Sequence, residues 1–201
     1  MIFIAGHHNT GKSTLAKFLT KNGFLHVETG AVIRQIYKNS GSELSFGEWA
    51  KQNNHDFDNY IIDEVRAAKD LALRENGQDV VVTGNRQVEG INKIRQSVEP
   101  IDQKAHVVIY LEAQPEVLFQ RHQQRPDRRV DGLTLNAFKT EILGYDQEMG
   151  IERIRDMADV VLYNNSDISR LYLCFSNKLN LYGYQLNPLV EGQDYCPMRR
   201  K

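Results

Sequence analysis

Short apolar runs alternate with longer amphipathic stretches along the whole chain. Met1-Ile2-Phe3-Ile4-Ala5 is an unbroken apolar run, as expected of a strand buried on both faces. Thr14–Leu19 follows with Leu15, Phe18 and Leu19 at helical spacing. Phe24–Glu28 predicts a second strand after Asn22-Gly23, and Thr29 is placed to cap a helix through Lys38 that stops at Ser40-Gly41. A short helix is expected near Phe46–Lys51. A longer one runs from about Asp56 to Glu75, where Ile61, Val65, Ala68 and Ala72 form one stripe and Asn76-Gly77 closes it. Asp79–Thr83 is the third strand, with Val80-Val81-Val82 too apolar for an exposed edge. A helix then runs to Val98, before Pro100, and His106–Leu111 is the fourth strand. Pro115 suits the first turn of a helix. Thr134–Met149 carries the stripe Leu135, Phe138, Ile142, Tyr145, Met149. Asp159–Tyr163 is the fifth strand, and Asn164–Asp167 opens the last helix.

This alternation predicts an α/β fold with a parallel sheet covered on both faces. At 201 residues and 41% hydrophobic content, the chain has the size and the core of one domain. The net charge of −1 implies neither a nucleic-acid coat nor a membrane-surface role, so any basic site must be local. Cys174 and Cys196 show no metal-ligand spacing and fit a reducing compartment. No apolar run reaches 18 residues, no leader pattern precedes the strand at Met1, and a cytoplasmic protein is expected. From Asn180 the chain changes character, with Tyr182, Tyr184, Tyr195 and a Met198-Arg199-Arg200-Lys201 end, and 176–201 reads as an extension of a domain spanning 1–175.

The first strand leads into Gly6-His7-His8-Asn9-Thr10-Gly11-Lys12-Ser13, a complete G-x-x-x-x-G-K-[ST] phosphate loop, continued by Thr14 into a helix. Gly6 and Gly11 allow the tight turn that aims backbone N–H groups at phosphate oxygens. Lys12 brings a positive charge to the β- and γ-phosphates, and Ser13 offers its hydroxyl to Mg²⁺. The helix dipole favours the same anion. His7 and His8 fill variable positions, where side chains are often free because the loop works through its backbone. The expected ligand is ATP with Mg²⁺. The guanine signature N-K-x-D is missing, since Asn177-Lys178-Leu179-Asn180 and Asn92-Lys93-Ile94-Arg95 both fail at the fourth position.

Four further segments accompany the loop: Thr29-Gly30-Ala31-Val32-Ile33-Arg34, Val82-Thr83-Gly84-Asn85-Arg86, the run Arg121-His122-Gln123-Gln124-Arg125-Pro126-Asp127-Arg128-Arg129, and Tyr145–Ile151 with Ala158-Asp159 and Asn164-Asn165-Ser166. Together they resemble the nucleotide-kinase branch of P-loop proteins, which includes adenylate kinases and dephospho-CoA kinases. A nearer resemblance is to small archaeal kinase-like proteins related to dephospho-CoA kinase. The resemblance implies a P-loop NTPase three-layer sandwich with a five-stranded parallel sheet, helices on both faces and a short arginine-rich lid at about 121–132. It implies that Thr29, Gly30 and Arg34 open the acceptor site, with Arg34 on an acceptor phosphate. Ala31 replaces the usual Asp. Arg86 would face acceptor or transferring phosphate, while Thr83 stands where a metal-supporting Asp is usual. Arg121, Arg125 and Arg128 would close over the transferring phosphoryl group. Asn164 and Asn165 would lie near the adenine.

Glu28, at the end of the second strand, faces the crevice where ligands bind in open α/β sheets. A phosphate acceptor is already anionic, whereas a hydroxyl acceptor benefits from a carboxylate base. Glu28 therefore favours a hydroxyl acceptor, with Asp56, Asp58 and Asp63 as rival acids. The chain also resembles, loosely, phage P-loop kinases that phosphorylate 5-hydroxymethyluracil in DNA, which implies a modified-DNA acceptor gripped by the aromatic and basic tail. A deoxynucleoside monophosphate, favoured by Thr29-Gly30 and Arg34, and dephospho-CoA or another small alcohol are the alternatives. A nucleotide-binding switch is the non-enzymatic one.

Overall fold

The computed structural model describes residues 1–75, 79–99, 106–125, 131–165 and 167–187. Five strands form one parallel sheet in the order β2-β3-β1-β4-β5: β1 (Ile2–Ala5), β2 (Leu25–Glu28), β3 (Val80–Thr83), β4 (Val107–Glu112) and β5 (Val160–Tyr163). The central strands are buried throughout, which is why they read as continuous apolar runs. Successive residues of β1 serve opposite layers. Ile2 and Ile4 pack with Leu15, Phe18 and Leu19 of α1 (Lys12–Lys21) and with Leu171, Phe175 and Leu179 of α10 (Ile168–Asn180). Met1, Phe3 and Ala5 face the other layer. That layer draws on α2 (Thr29–Ser40), α3 (Phe46–Asn53), α4 (Phe57–Arg74), α5 (Val88–Val98) and α9 (Ile151–Met157), with a 3₁₀ turn over Asn54–Asp56. The expected three-layer sandwich is thus the fold observed. Among the described residues, no helix is long and apolar enough to cross a membrane.

Two features differ from the sequence expectation, the start of α2 and the helix over 134–149. Thr29 is the first residue of α2 rather than its cap; its side chain is buried, and Glu28 holds the cap position without a capping side-chain bond. The last helix opens at Asn164–Asp167 as expected, where Asp167 caps α10 and accepts from the Ser169 N–H at 3.2 Å. The helix α10 runs across residue 175, and Tyr184 and Leu186 beyond it are buried in the core.

The second difference concerns 134–149. After α6 (Pro115–Gln123), a short helix α7 (Leu135–Ala137) opens into a π-helical turn over Phe138–Leu143 and closes as α8 (Gly144–Glu148). The wide turn moves the inward face by one position. Phe138, Leu143 and Asp146 point inward, while Tyr145 is half exposed. Of the sequence signals, Asn76-Gly77, Pro100, Pro126, Arg128, Arg129, Ser166, Tyr195, Cys196 and the basic end lie outside the described residues.

Candidate active site

Residues 6–11 turn sharply between β1 and α1. Gly6 has φ 138°, and a Cβ on it would meet the Leu111 carbonyl oxygen of β4 at 2.3 Å, so this position has no room for a side chain. Asn9, at φ 64°, adopts the left-handed region that asparagine tolerates best after glycine. The Lys12 ammonium donates to the Gly6 and His7 carbonyls, each at 2.7 Å, which holds it across the mouth of the loop. Thr10 is buried and donates to the His7 carbonyl at 2.9 Å.

The loop histidines are not free. The His8 backbone N–H and its Nδ1 both lie 2.8 Å from Asp146 Oδ2, and His7 Nδ1 stands 3.4 Å from the same oxygen. Arg86 completes a ring: its NH1 lies 3.1 Å from Asp146 Oδ1 and its NH2 2.9 Å from His8 Nε2, with the guanidinium over the Tyr145 face. Burial pushes the Asp146 carboxyl up, but the imidazoles of His7 and His8 and the His8 backbone N–H outweigh it, holding it well below the usual carboxylate range. Sequence reasoning missed Asp146 as a site residue. An α-helical phase put Tyr145 inward, and no local signal marks the π turn.

A cleft of about 870 Å³ opens above the loop and gathers residues from most of the predicted segments. Gly6, His8, Asn9, Gly11, Lys12, Ser13 and Thr14 line one end; Glu28, Gly30 and Arg34 line the other. Arg86, Arg121, Arg125 and Asn164 complete the wall. The Arg34 guanidinium donates to Glu28 Oε1 at 3.0 Å, so the predicted acid and the predicted anion clamp form one pair. Asp58, a rival acid, is spent on Lys93 at 2.5 Å, and neither Asp56 nor Asp63 lines the cleft. Thr29, His7 and Thr10 lie behind the lining.

Asn164 is a brace rather than an open base-binding group. Its side-chain amide donates to the Thr10 carbonyl at 2.8 Å, and the Arg121 guanidinium donates to its backbone oxygen at 2.9 Å and its side-chain oxygen at 3.3 Å. Arg121 also reaches the Asn9 carbonyl at 3.4 Å, which ties the end of α6 to the phosphate loop. Arg128 lies outside the described residues. The aromatic tail is spent on packing as well: Tyr184 is buried against Phe24, with ring centres 5.6 Å apart, and the Tyr182 hydroxyl reaches the Asp159 carbonyl at 3.4 Å. The buried Tyr184 ring is not available to stack on an extruded base, so the expectation of a DNA-gripping tail loses this residue.

A family model described as an AAA domain matches residues 2–144. The chain belongs to this family. The AAA-domain chain is also 25% identical over 168 residues to the UPF0200 protein TK1334 of Thermococcus kodakarensis, covering 82% of this chain and 88% of that protein. A shikimate kinase from Bacteroides thetaiotaomicron shares the fold, with TM-score 0.61 at 16% identity over 91% of this chain and 98% of that one. A gluconokinase from Sinorhizobium meliloti superposes with TM-score 0.52 at 15% identity over 92% and 97% of the two chains. The fold of this AAA-domain protein is therefore the one it shares with that shikimate kinase and that gluconokinase.

The donor set around Ser13 is sparse. Among the described residues, no group of three or more His, Cys, Asp or Glu side chains could hold a metal. Thr83 is buried, with its hydroxyl 2.8 Å from His26 Nε2, and burial pushes the His26 imidazole down. A cation in this AAA domain would rely on the exposed Ser13 hydroxyl, phosphate oxygens and water, a set that fits Mg²⁺, which keeps most of its waters.

Proposed function

We infer that the protein is an ATP-dependent phosphotransferase whose acceptor is a hydroxyl compound carrying an anionic group of its own. The observation that carries this reading is the single cleft joining the phosphate loop to the Glu28–Arg34 pair. Among the described residues, five cationic side chains, Lys12, Arg34, Arg86, Arg121 and Arg125, line it against two carboxylates, Glu28 and Asp146, each already paired with an arginine. That excess of positive charge suits a polyphosphate donor and a second anion facing it.

Lys12 would exchange its loop carbonyls for β- and γ-phosphate oxygens, and the loop N–H groups would cradle the same phosphates. Ser13 would hold Mg²⁺ together with phosphate oxygens, and the bound ion would supply neutralisation of charge on the transferring group. Arg86, Arg121 and Arg125, with Arg128 from the lid, are suited to the equatorial oxygens, and Arg34 to the acceptor's anionic group, with Thr29 and Gly30 shaping that end. A carboxylate beside Arg34 favours an acceptor that also presents a hydroxyl hydrogen-bond donor. The named kinases of shikimate and gluconate share this fold, which is compatible with such a substrate.

The test is transfer of labelled γ-phosphate from ATP to a panel of hydroxy acids, sugar acids, dephospho-CoA, deoxynucleoside monophosphates and hydroxymethyluracil-containing DNA. Label on a small hydroxy acid or dephospho-CoA is the expected result. Label confined to a monophosphate would assign Arg34 to an acceptor phosphate, and label confined to DNA would restore the polymeric substrate. Lys12→Ala is expected to reduce transfer at least roughly 10²-fold while its thermal midpoint stays near wild type. Transfer retained by that variant would overturn the reading.

A further inference from the structure

The imidazole at the mouth of the phosphate loop has a geometry that phosphate binding does not require. Asp146, 2% exposed, accepts from both the backbone N–H and Nδ1 of His8. With the Nδ1 proton given to the carboxylate, the lone pair lies on Nε2, and there the Arg86 guanidinium donates at 2.9 Å. The hydrogen-bond network thus assigns His8 one neutral tautomer and one orientation. Its Nε2 partner is a guanidinium that is 29% exposed and lines the cleft beside Lys12. A carboxylate holding Nδ1–H, with Nε2 left as the acceptor, is the arrangement of a histidine general base.

Resting on the phosphotransfer reading, we propose that His8, oriented by Asp146, is the base that takes the proton from the acceptor hydroxyl. Arg86, which caps Nε2 at 2.9 Å, leaves it for the transferring phosphoryl group. The acceptor O–H proton then passes to Nε2. The acceptor oxygen bonds to the γ-phosphorus as the bond to the β,γ-bridging oxygen breaks, and that electron pair departs on ADP. Asp146 stabilises the imidazolium, which returns its proton to solvent. Asp146 acts through His8 and is a positioning residue. The Glu28–Arg34 pair, at the far end of the cleft, recognises the acceptor, so the base role expected for Glu28 passes to His8.

Water is the simplest hydroxyl acceptor, so the experiment follows ATP hydrolysis by the full chain. His8→Asn keeps a side-chain N–H for Asp146 and removes Nε2; His8→Ala leaves a space for free imidazole. Both variants are expected to bind ATP within about threefold of wild type by calorimetry and to hydrolyse it roughly 10²-fold more slowly. Added imidazole is expected to restore His8→Ala at least about tenfold, a recovery that a merely structural histidine would not give. Wild-type hydrolysis by His8→Asn overturns the proposal, as does a loss that imidazole leaves unchanged. Wild-type protein that binds no ATP, or binds it without hydrolysis or transfer to any acceptor, overturns the phosphotransfer reading and the base with it.

Discussion

Gly84, where the chain leaves β3, has φ 95°, and a Cβ on it would lie 2.5 Å from Thr29 Oγ1. Thr29 is itself buried at the start of α2 and has little freedom to withdraw. Gly84→Ala therefore combines a left-handed backbone with a clash, and we expect a loss of about 1–3 kcal/mol, read as a lower thermal midpoint. An unchanged midpoint would mean that the β3 exit relaxes freely. At this scale the sequence was most legible where chemistry is contiguous. The phosphate-loop motif is eight consecutive residues, and the structure folds them into a tight turn between β1 and α1 with Gly6, Asn9 and Gly11 at positive φ. His8 was illegible for the opposite reason. Its partner Asp146 is 138 residues away, and nothing near either residue announces the pairing.

Elements meet at the loop through backbone carbonyls. Asn164, just after β5, gives its amide to the Thr10 carbonyl, while Arg121 of α6 bonds the Asn164 and Asn9 carbonyls. Asn164→Ala leaves a buried carbonyl without that donor and loosens the turn that must face phosphate. The expected cost is about 1–3 kcal/mol of stability. We also expect a smaller rise of the thermal midpoint on adding Mg²⁺–ATP, because the variant must order the loop on binding. Melts with and without nucleotide check both, and a full nucleotide-induced rise would remove Asn164 from loop positioning. The strands were readable because burial on both faces leaves a continuous apolar run, as Val80-Val81-Val82 illustrates. The helix over 134–149 was readable as a helix but not in phase. The stripe Leu135, Phe138, Ile142, Tyr145, Met149 assumes an α-helical turn throughout, and the π turn over Phe138–Leu143 replaces Ile142 by Leu143 and Tyr145 by Asp146 on the inner face. The side chain that holds His8 reaches the site through that shift.

The molecule is closed at the opposite end of the sheet by a buried ionic cluster whose members come from distant parts of the chain. Asp79, entering β3, accepts from the Met1 amino group at 2.5 Å, from the Tyr184 hydroxyl at 2.8 Å and from the Lys69 ammonium of α4. Tyr184 lay in a stretch that showed no periodicity, because a single buried aromatic after a helix leaves no repeating pattern. It nonetheless fastens the end of the described chain to the first strand. Burial pushes the Asp79 carboxyl up, but the amino-group charge and the hydrogen bonds from Lys69 and that amino group outweigh it, so its folded value lies below the ordinary one. A carboxylate lowered on folding contributes stability that is complete above the unfolded carboxylate range and is lost as the pH falls through the folded value. Asp79→Asn removes that contribution and takes from the Lys69 side chain, 7% exposed, the carboxylate charge it donates to. We expect the variant to be less stable by about 3–5 kcal/mol at neutral pH, as for other broken buried pairs. The gap should narrow in acid, where the wild-type carboxylate is also being protonated. Urea denaturation of both proteins at neutral and acid pH measures it. A gap that stays constant with pH, or that is absent at neutral pH, would show that the cluster fills space at the end of the sheet without its charges stabilising the fold.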